Sequence, residues 1–319
     1  MSTPGLVNTE LRSEATSRRQ VYEKLMFGLM GLGALCVVLP MVYIFGALFI
    51  GGIGKVLSPG FLTQAPTNGS TEGGIAPQIA GTLALMFGTI LLALPLGISA
   101  AVYLTEYAGK NALTRAIRMA IVNLAGVPSI VHGLFGLGLF VYFVGAWMDY
   151  WGGYSTQNPP QTMWGRPTLL WGAATLAVLV LPVVTTATEE GLKTVPRSFR
   201  EGAMGLGATK WQTIWKVVLP AALPGILTGA ILAIGRAAGE TAPIILVAAV
   251  GYKTNPQAIP PIYEPVVALP YHLFYVVTEV ARATPALQYG TALTLLLIVF
   301  GVNLVAIILR TRLRKARKW

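Results

Sequence analysis

The stretch "VVLPAALPGILTGAILAIGRAAGETAPIILVAAV", from Val217 to Val250, decides the class of fold because it is apolar apart from Arg236 and Glu240. About 20 predominantly apolar residues are enough to carry a helix across a bilayer. An arginine at the centre of a spanning helix costs at least about 2.5–3.5 kcal/mol. The stretch therefore predicts a membrane-spanning helix whose two charged residues face protein or a water-filled path and not lipid.

Five further runs are long, apolar and free of charge, and together with the first they predict six transmembrane helices. They are Leu25 to Gly54, Gly73 to Thr105, Met119 to Met148, Pro167 to Thr188 and Ala283 to Leu309. The chain of 319 residues is 54% hydrophobic and only 11% charged, whereas soluble domains contain about 25% charged residues. We expect an all-α membrane protein and exclude a soluble globular domain.

The basic residues predict the orientation of the six helices. The N-terminal segment, the second and fourth loops and the C-terminal end from Arg310 onward hold 18 of the 23 Lys and Arg residues, and the loops on the other side hold four. Because short cytoplasmic loops carry the excess of positive charge, both termini should be cytoplasmic. We expect a cytoplasmic segment over 1–24, a transmembrane domain over 25–310, and a basic tail over 311–319 that contacts anionic lipid and not nucleic acid.

The fourth loop, residues 189–216, reads "EEGLKTVPRSFREGAMGLGATKWQTIWK" and is too polar to span a membrane. It predicts a short helix from Ser198 to Leu206 that ends at Gly207 in a left-handed conformation. A second short helix should begin after Thr209. It would carry Trp211, Ile214 and Trp215 on one face, and Phe199, Met204, Leu206 and Trp211 should be exposed apolar residues of this loop.

The same loop resembles the EAA loop of bacterial ABC-importer permeases. Glu201-Gly202-Ala203, then Gly207, then Val217 and Leu219-Pro220 follow the spacing of that motif, with a glycine in place of the first alanine and a valine in place of the isoleucine. The resemblance implies an ABC-importer permease fold and a surface that docks an ATPase, with Glu201, Gly202, Ala203, Leu206 and Gly207 as the coupling residues. An ordinary helical hairpin is the alternative interpretation.

The chain shows no sign of chemistry of its own. It lacks the pattern G-x-x-x-x-G-K-[ST], so it cannot hold ATP phosphates in a P-loop, and ATP hydrolysis would require a separate polypeptide. It also lacks H-E-x-x-H and any cluster of histidine, cysteine and carboxylate residues typical of a metal site. We therefore expect a transport subunit that is not an enzyme and binds no cofactor or metal, and we disfavour an intramembrane enzyme.

Arg236 and Glu240 are four residues apart, a spacing that puts both side chains on one face of the helix, so they can pair. Arginine remains charged in any environment and matches phosphate oxygens with two parallel hydrogen bonds. The functional interpretation is therefore an anion site in which Glu240 compensates Arg236 when no anion is bound. The alternative is a structural ion pair that fixes the register of the helix.

Several stretches are similar to phosphate-importer permeases, more to their PstA type than to their PstC type. They cover roughly residues 70–318 and include "LALPLGISAAVYLTEYA" (92–108), "AGVPSIVHGLFGLG" (125–138) and "GRAAGETAPI" (235–244). The resemblance implies that Arg236 takes part in phosphate movement. Some members of the family carry a second arginine where this chain has Thr186, which offers a hydroxyl but no charge. His132 is interpreted as a packing residue and not as a phosphate ligand.

The resemblance implies a permease subunit of an ATP-driven phosphate importer in a bacterial inner membrane. The expected partners are a homologous PstC-like permease, two PstB-like ATPase subunits, a PstS-like phosphate-binding protein outside, and membrane lipid. A permease for another oxyanion, such as sulfate, molybdate or phosphonate, is the nearest alternative. A secondary anion carrier driven by an ion gradient is the alternative outside this class.

Overall fold

The computed structural model describes residues 4–109, 111–155, 157, 161–249 and 261–315. Lys110, Lys253 and the last four residues of the basic tail, which contribute to the predicted orientation, lie outside the described residues. Within these ranges the chain is almost entirely helical, and its one sheet is a two-residue antiparallel hairpin of β1 (Pro66–Thr67) and β2 (Glu72–Gly73), joined by a 3₁₀ turn at Asn68–Ser70.

The described chain contains twelve α-helices and three π-helical stretches. The helices are α1 (Pro4–Val56), α2 (Ala76–Val102), α3 (Ala112–Ala125), α4 (Ser129–Gly136), α5 (Ala146–Trp151), α6 (Leu169–Lys193), α7 (Arg197–Gly205), α8 (Lys210–Thr213), α9 (Leu219–Gly239), α10 (Ala242–Val247), α11 (Leu269–Thr278) and α12 (Pro285–Lys315). The π-helical stretches extend α2 (Tyr103–Tyr107), join α4 to α5 (Leu137–Gly145) and join α8 to α9 (Ile214–Val218).

Within the described residues, six continuous helical segments are long and apolar enough to cross a membrane, as the sequence predicts. They run over Tyr22–Val56, Ala76–Tyr107, Ser129–Trp151, Leu169–Lys193, Lys210–Gly239 and Pro285–Arg312. The third begins later than the apolar run that predicted it, because Met119 to Ala125 belong to the separate helix α3. Pro128 causes this break, since a proline disfavours the helical conformation of the residue before it.

The helix α6 lies at the centre of the bundle, with 67% of its most apolar segment buried, and packs against α2 and α9. Small residues permit this close packing, because glycine lets helix backbones approach one another in a membrane. A β-carbon built on Gly97 of α2 would stand 2.6 Å from a methyl group of Val184, and one built on Gly229 of α9 would stand 2.8 Å from Ala187 Cβ. The core of the fold is therefore this three-helix contact.

The first and last spans lie at the periphery and leave broad apolar faces uncovered. None of the most apolar segment of α1 is buried and only 11% of that of α12 is, and the two helices meet where Gly51 and Gly52 contact Tyr289. Exposed leucine, valine and phenylalanine side chains along both helices suit hydrocarbon or a second apolar chain, not water.

The fifth span differs from the sequence prediction of one helix up to Val250. The helix α9 ends at Gly239, Glu240 has an extended backbone (φ −75°, ψ 131°), and the short helix α10 begins at Ala242. Pro243 explains the break, because it lacks the N–H that would bond to the carbonyl of Gly239 and its ring crowds that carbonyl. The break places an irregular backbone between the two helices, one helical turn after Arg236.

Candidate transport site and coupling surface

The break between α9 and α10 lies about halfway along the central helix. Ala233 and Ala237 of α9 belong to one buried cluster with Ala177 and Val180, which are close to the midpoint of α6. Arg236 therefore sits at mid-depth of the bundle, as the sequence predicts. Irregular backbone at membrane depth is tolerated only where it is buried in protein or lines a water-filled cavity.

The structure brings Arg236 and Glu240 together, although they do not share a helix. Arg236 Nε lies 3.6 Å from Glu240 Oε1, and the two side chains are 33% and 17% exposed. This distance is long for a charge-assisted hydrogen bond, which is typically about 2.7–2.9 Å. Among the described residues, Glu240 is the only acidic partner within 4.0 Å of the Arg236 guanidinium. Most of its donors thus have no acidic partner.

The polar residue Asn303 of α12 lies against Gly235, the residue before Arg236, and was not predicted. A β-carbon built on Gly235 would stand 3.3 Å from Asn303 Nδ2, and Asn303 Oδ1 is buried without a hydrogen-bond partner among the described residues. The sequence does carry a signal for it, because Asn303 is the only strongly polar residue in the apolar run up to Leu309 apart from Gln288. The Asn303 amide is therefore a further polar group near the level of Arg236.

Thr186 does not meet Arg236. It is exposed on α6, and the contacts of Gly229 with Val184 and Ala187 place it about two helical turns from the level of Arg236. His132 is buried on α4, with Nδ1 3.4 Å from the carbonyl of Pro128, an arrangement that suits a packing residue.

The predicted coupling loop has the backbone that the sequence predicts. The helix α7 ends in a Schellman motif, in which the N–H of Ala208 bonds to the carbonyl of Ala203 at 3.1 Å and the N–H of Gly207 to that of Met204 at 2.9 Å. Gly207 has φ +87°, which is the left-handed conformation favoured by glycine. Glu201 and Gly202 are exposed on this helix.

The second helix of the loop differs from its prediction. It begins at Lys210, after a capping box formed by Thr209 and Gln212, but it continues without interruption into the fifth span. Ile214 is buried in the core while Trp211 and Trp215 are exposed, so the three do not share one face.

The exposed apolar surface is therefore formed mainly by residues near the end of α7 and the start of α8. Leu206 is 92% exposed, and Met204 and Trp211 are about half exposed. Phe199 is an exception to the prediction, because it packs against the buried cluster around Leu192 and Ile214.

Two ion pairs that join different helices near the coupling loop were not predicted. Arg200 of α7 binds Glu106, at the π-helical end of α2, with Nη2 2.7 Å from Oε1. Arg118 of α3 binds Glu189 of α6, with Nη1 2.8 Å from Oε2. Sequence spacing gives no signal for either pair, since the partners lie on different helices.

The described residues contain no group of three or more His, Cys, Asp and Glu side chains that could hold a metal ion. The described features are an arginine–carboxylate pair at a helix break, and, at one end of the bundle, a short amphipathic helix that is followed by a left-handed glycine. These features suit binding and docking.

Comparison with known proteins places the chain in a family. It matches the family described as "Binding-protein-dependent transport system inner membrane component" over residues 93–318. "Probable ABC transporter permease protein YqgI" of Bacillus subtilis (strain 168) is 33% identical over 93% of this chain and 98% of its own length. "Probable phosphate transport system permease protein PstA" of Methanocaldococcus jannaschii is 30% identical over 89% of this chain and 92% of its own.

Solved structures show the same fold at lower sequence identity. A chain of a bacterial ABC transporter involved in the import of the acidic polysaccharide alginate aligns with a TM-score of 0.61 at 15% identity, over 95% of this chain and 99% of that chain. A chain of the inward-facing MetNI methionine ABC transporter aligns with a TM-score of 0.52 at 18% identity, over 75% and 94% of the two chains. The six-span architecture and the family match lead to one conclusion: the chain belongs to the binding-protein-dependent transport system inner membrane components and is a multi-pass permease subunit of an ABC importer in the cytoplasmic membrane.

Proposed function

We propose that the chain is a PstA-type permease subunit of an ATP-driven importer of inorganic phosphate, and that Arg236 lies on the path of the anion. The observation that carries the proposal is the incompletely paired Arg236 guanidinium at a helix break halfway across the bundle. Relatives named as phosphate permeases support it, among them PstA 1 of Mycobacterium tuberculosis (strain ATCC 25618 / H37Rv), which is 30% identical over 85% of this chain and 82% of its own.

The chemistry of phosphate suits the Arg236–Glu240 pair. At neutral pH phosphate offers unprotonated oxygens, which accept hydrogen bonds from a guanidinium, and a protonated oxygen, which donates one to a carboxylate. Sulfate has no such proton at this pH, so its oxygens would face the Glu240 carboxylate with repulsion only. The pair therefore favours phosphate over sulfate, which is the nearest alternative substrate.

The long contact between Arg236 and Glu240 suits a site that binds an anion and then releases it. The repulsion by Glu240 weakens the attraction of an anion to Arg236, and the long Nε–Oε1 distance of 3.6 Å leaves room for an anion to displace the carboxylate. A site for cargo must release what it binds, so a partly compensated charge serves better than a free arginine.

In this proposal the α7 end of the bundle faces the cytoplasm, where two ATPase subunits dock, and α7 serves as the coupling helix with Glu201, Gly202, Ala203, Leu206 and Gly207. The exposed Leu206, Met204 and Trp211 provide an apolar contact for the ATPase. A homologous PstC-like permease would cover the uncovered apolar faces and supply the other half of the path. A phosphate-binding protein would deliver the anion at the opposite end.

The proposal is tested by reconstituting the chain in liposomes, alone and with its permease, ATPase and binding-protein partners. The complete complex should take up radiolabelled phosphate only when ATP is supplied to the ATPase side, and excess sulfate or molybdate should compete weakly. Uptake by the chain alone along an ion gradient would instead identify a secondary carrier. Equal competition by sulfate would refute selectivity for phosphate.

A further inference from the structure

In addition to the apolar packing of Phe199, one charged side chain, Arg200, joins the coupling helix α7 to the transmembrane bundle. Arg200 is 19% exposed, and its Nη2 lies 2.7 Å from Glu106 Oε1, while Glu106 is 10% exposed. Arg200 Nη1 also donates to the carbonyl of Val195 at 2.7 Å, and Nη2 to that of Leu192 at 2.9 Å. A single guanidinium thus joins α7 to the end of α6 and to the end of α2.

The end of α2 is itself held by two further cations. Arg118 Nη2 donates to the carbonyl of Leu104 at 2.8 Å, and Lys210 Nζ lies 4.7 Å from the centre of the Tyr107 ring. These two contacts and the Arg200–Glu106 pair all involve the π-helical stretch Tyr103–Tyr107. In this stretch the i→i+4 hydrogen bonds of α2 give way to i→i+5 bonds. Such π-helical turns are frequent at functional sites. The π-helical extension of α2 is therefore the element that α3, α7 and α8 all contact.

From this end, α2 extends through the bundle to the level of Arg236. It packs along α6 and α9, and Ala93 of α2 shares one buried cluster with Ala233 and Ala237, the neighbours of Arg236. A displacement of the end of α2 along its axis must therefore shift the packing around Arg236, because closely packed interiors transmit strain.

An ion pair with little exposure is a costly way to stabilise a protein, because two charges lose their hydration. In some proteins such pairs are retained because they fix one particular geometry. Arg200 can fix such a geometry, since its planar guanidinium reaches a carboxylate and two carbonyls from separate nitrogens, whereas a lysine has a single nitrogen.

We propose that Arg200 and Glu106 form a transmission clasp, which positions α7 against α2 and passes movement of an ATPase-docked α7 to the helices around Arg236. The inference rests on the proposed function, in which α7 docks the ATPase. In this account Arg200 and Glu106 are positioning residues, and neither contacts the anion or ATP.

The test uses the complete reconstituted complex with Arg200→Gln, Glu106→Gln and both together, and measures phosphate moved per ATP hydrolysed. We expect each variant to keep its ATPase subunits through purification while the ratio falls at least about five-fold, the size of a modest coupling between two sites. Arg200→Lys should fall less, because it keeps the charge near Glu106. The control is Glu190→Gln, which removes the exposed pair with Lys193 at 2.6 Å and should leave the ratio unchanged.

The double variant separates transmission from mere stability. A pair that only stabilises the fold predicts that removing both charges restores the ratio, since no buried charge is left unpaired. Recovery in the double variant, an unchanged ratio in the single variants, or loss of the ATPase subunits from them would each overturn the clasp. Failure of the parent complex to import phosphate with ATP would overturn the proposed function and the clasp with it.

Discussion

Gly191 of α6 and Gly225 of α9 touch backbone to backbone: a β-carbon built on Gly225 would stand 2.5 Å from Gly191 Cα. Because neither residue has a side chain, the two helices approach more closely here than any other pair of residues would permit. This contact fixes the register of α9 along α6, and that register sets the depth at which Arg236 lies.

Replacing Gly225 by alanine tests the contact. The added methyl group has no space, so we expect a loss of about 1–3 kcal/mol in the free energy of unfolding, as for other overpacked sites. The measurement is thermal unfolding of the purified chain in detergent. Gly31→Ala is the matched control, because nothing lies within 4 Å of a β-carbon at that position of α1. Equal melting temperatures for the two variants would contradict the contact.

Asp149 anchors the segment that precedes α6. Its carboxylate is buried and accepts hydrogen bonds from the backbone N–H groups of Met163, Trp164 and Gly165 at 3.2, 2.9 and 2.7 Å. We expect Asp149→Asn to free this segment, because an amide has one acceptor oxygen and its N–H groups would oppose the backbone donors. Hydrogen exchange at residues 163–165 should accelerate, while the control Glu279→Gln, at an exposed position, leaves it unchanged. Unaltered protection in Asp149→Asn would show that other contacts hold the segment.

His272 of α11 predicts a dependence of stability on pH. Burial lowers its pKa from 6.5 to about 4. The unfolded chain therefore binds a proton that the folded chain rejects between these two values, so the contribution of His272 is fully present above about pH 6.5 and is lost as the pH falls toward 4. Melting temperatures of the parent and His272→Gln, measured in detergent from pH 7 to pH 4, should show a steeper decline in the parent. Parallel declines would exclude His272 as the cause.

The variant Gly207→Val tests whether the turn after α7 takes part in coupling to the ATPase. A β-branched residue is strained at φ +87°, so Gly207→Val should distort the end of α7 and reduce both recovery of the ATPase with the complex and phosphate uptake. Gly205→Val is the matched control, because nothing lies within 4 Å of a β-carbon there either and its φ is not positive. Both variants should insert in the membrane. Normal ATPase recovery and uptake in Gly207→Val would refute a coupling role for this turn.

The sequence predicts correctly those features that depend on local pattern. The six spans follow from apolar length, and the left-handed Gly207 follows from a glycine after a short amphipathic segment. The break after Gly239 was missed although its signal is local, because Pro95, Pro182 and Pro224 remain inside helices while Pro243 does not. A proline alone therefore does not tell a kink from an end.

The ion pairs Arg200–Glu106 and Arg118–Glu189 depend on tertiary structure. Glu106 and Arg200 are 94 residues apart, and their meeting requires that α2 and α6 end at the same level of the bundle. No periodicity in the sequence encodes that level; it is set by contacts such as Gly97 with Val184. The position of Asn303 beside Gly235 has the same origin, because α12 reaches α9 only in the packed fold.

The last prediction separates an anion site from a structural pair at Arg236. Arg236→Lys keeps the charge but loses the planar geometry, so phosphate uptake should fall partly. Arg236→Gln leaves Glu240, which is 17% exposed, without its cation, and uptake should fall much further. A structural pair predicts that Arg236→Gln together with Glu240→Gln restores uptake, because no unpaired charge remains at mid-depth. An anion site predicts that this double variant stays impaired, since nothing attracts phosphate. The measurement is uptake by cells that lack other phosphate importers, normalised to assembled complex. Parent-like uptake by the double variant would make Arg236 a packing residue and would refute the proposed path.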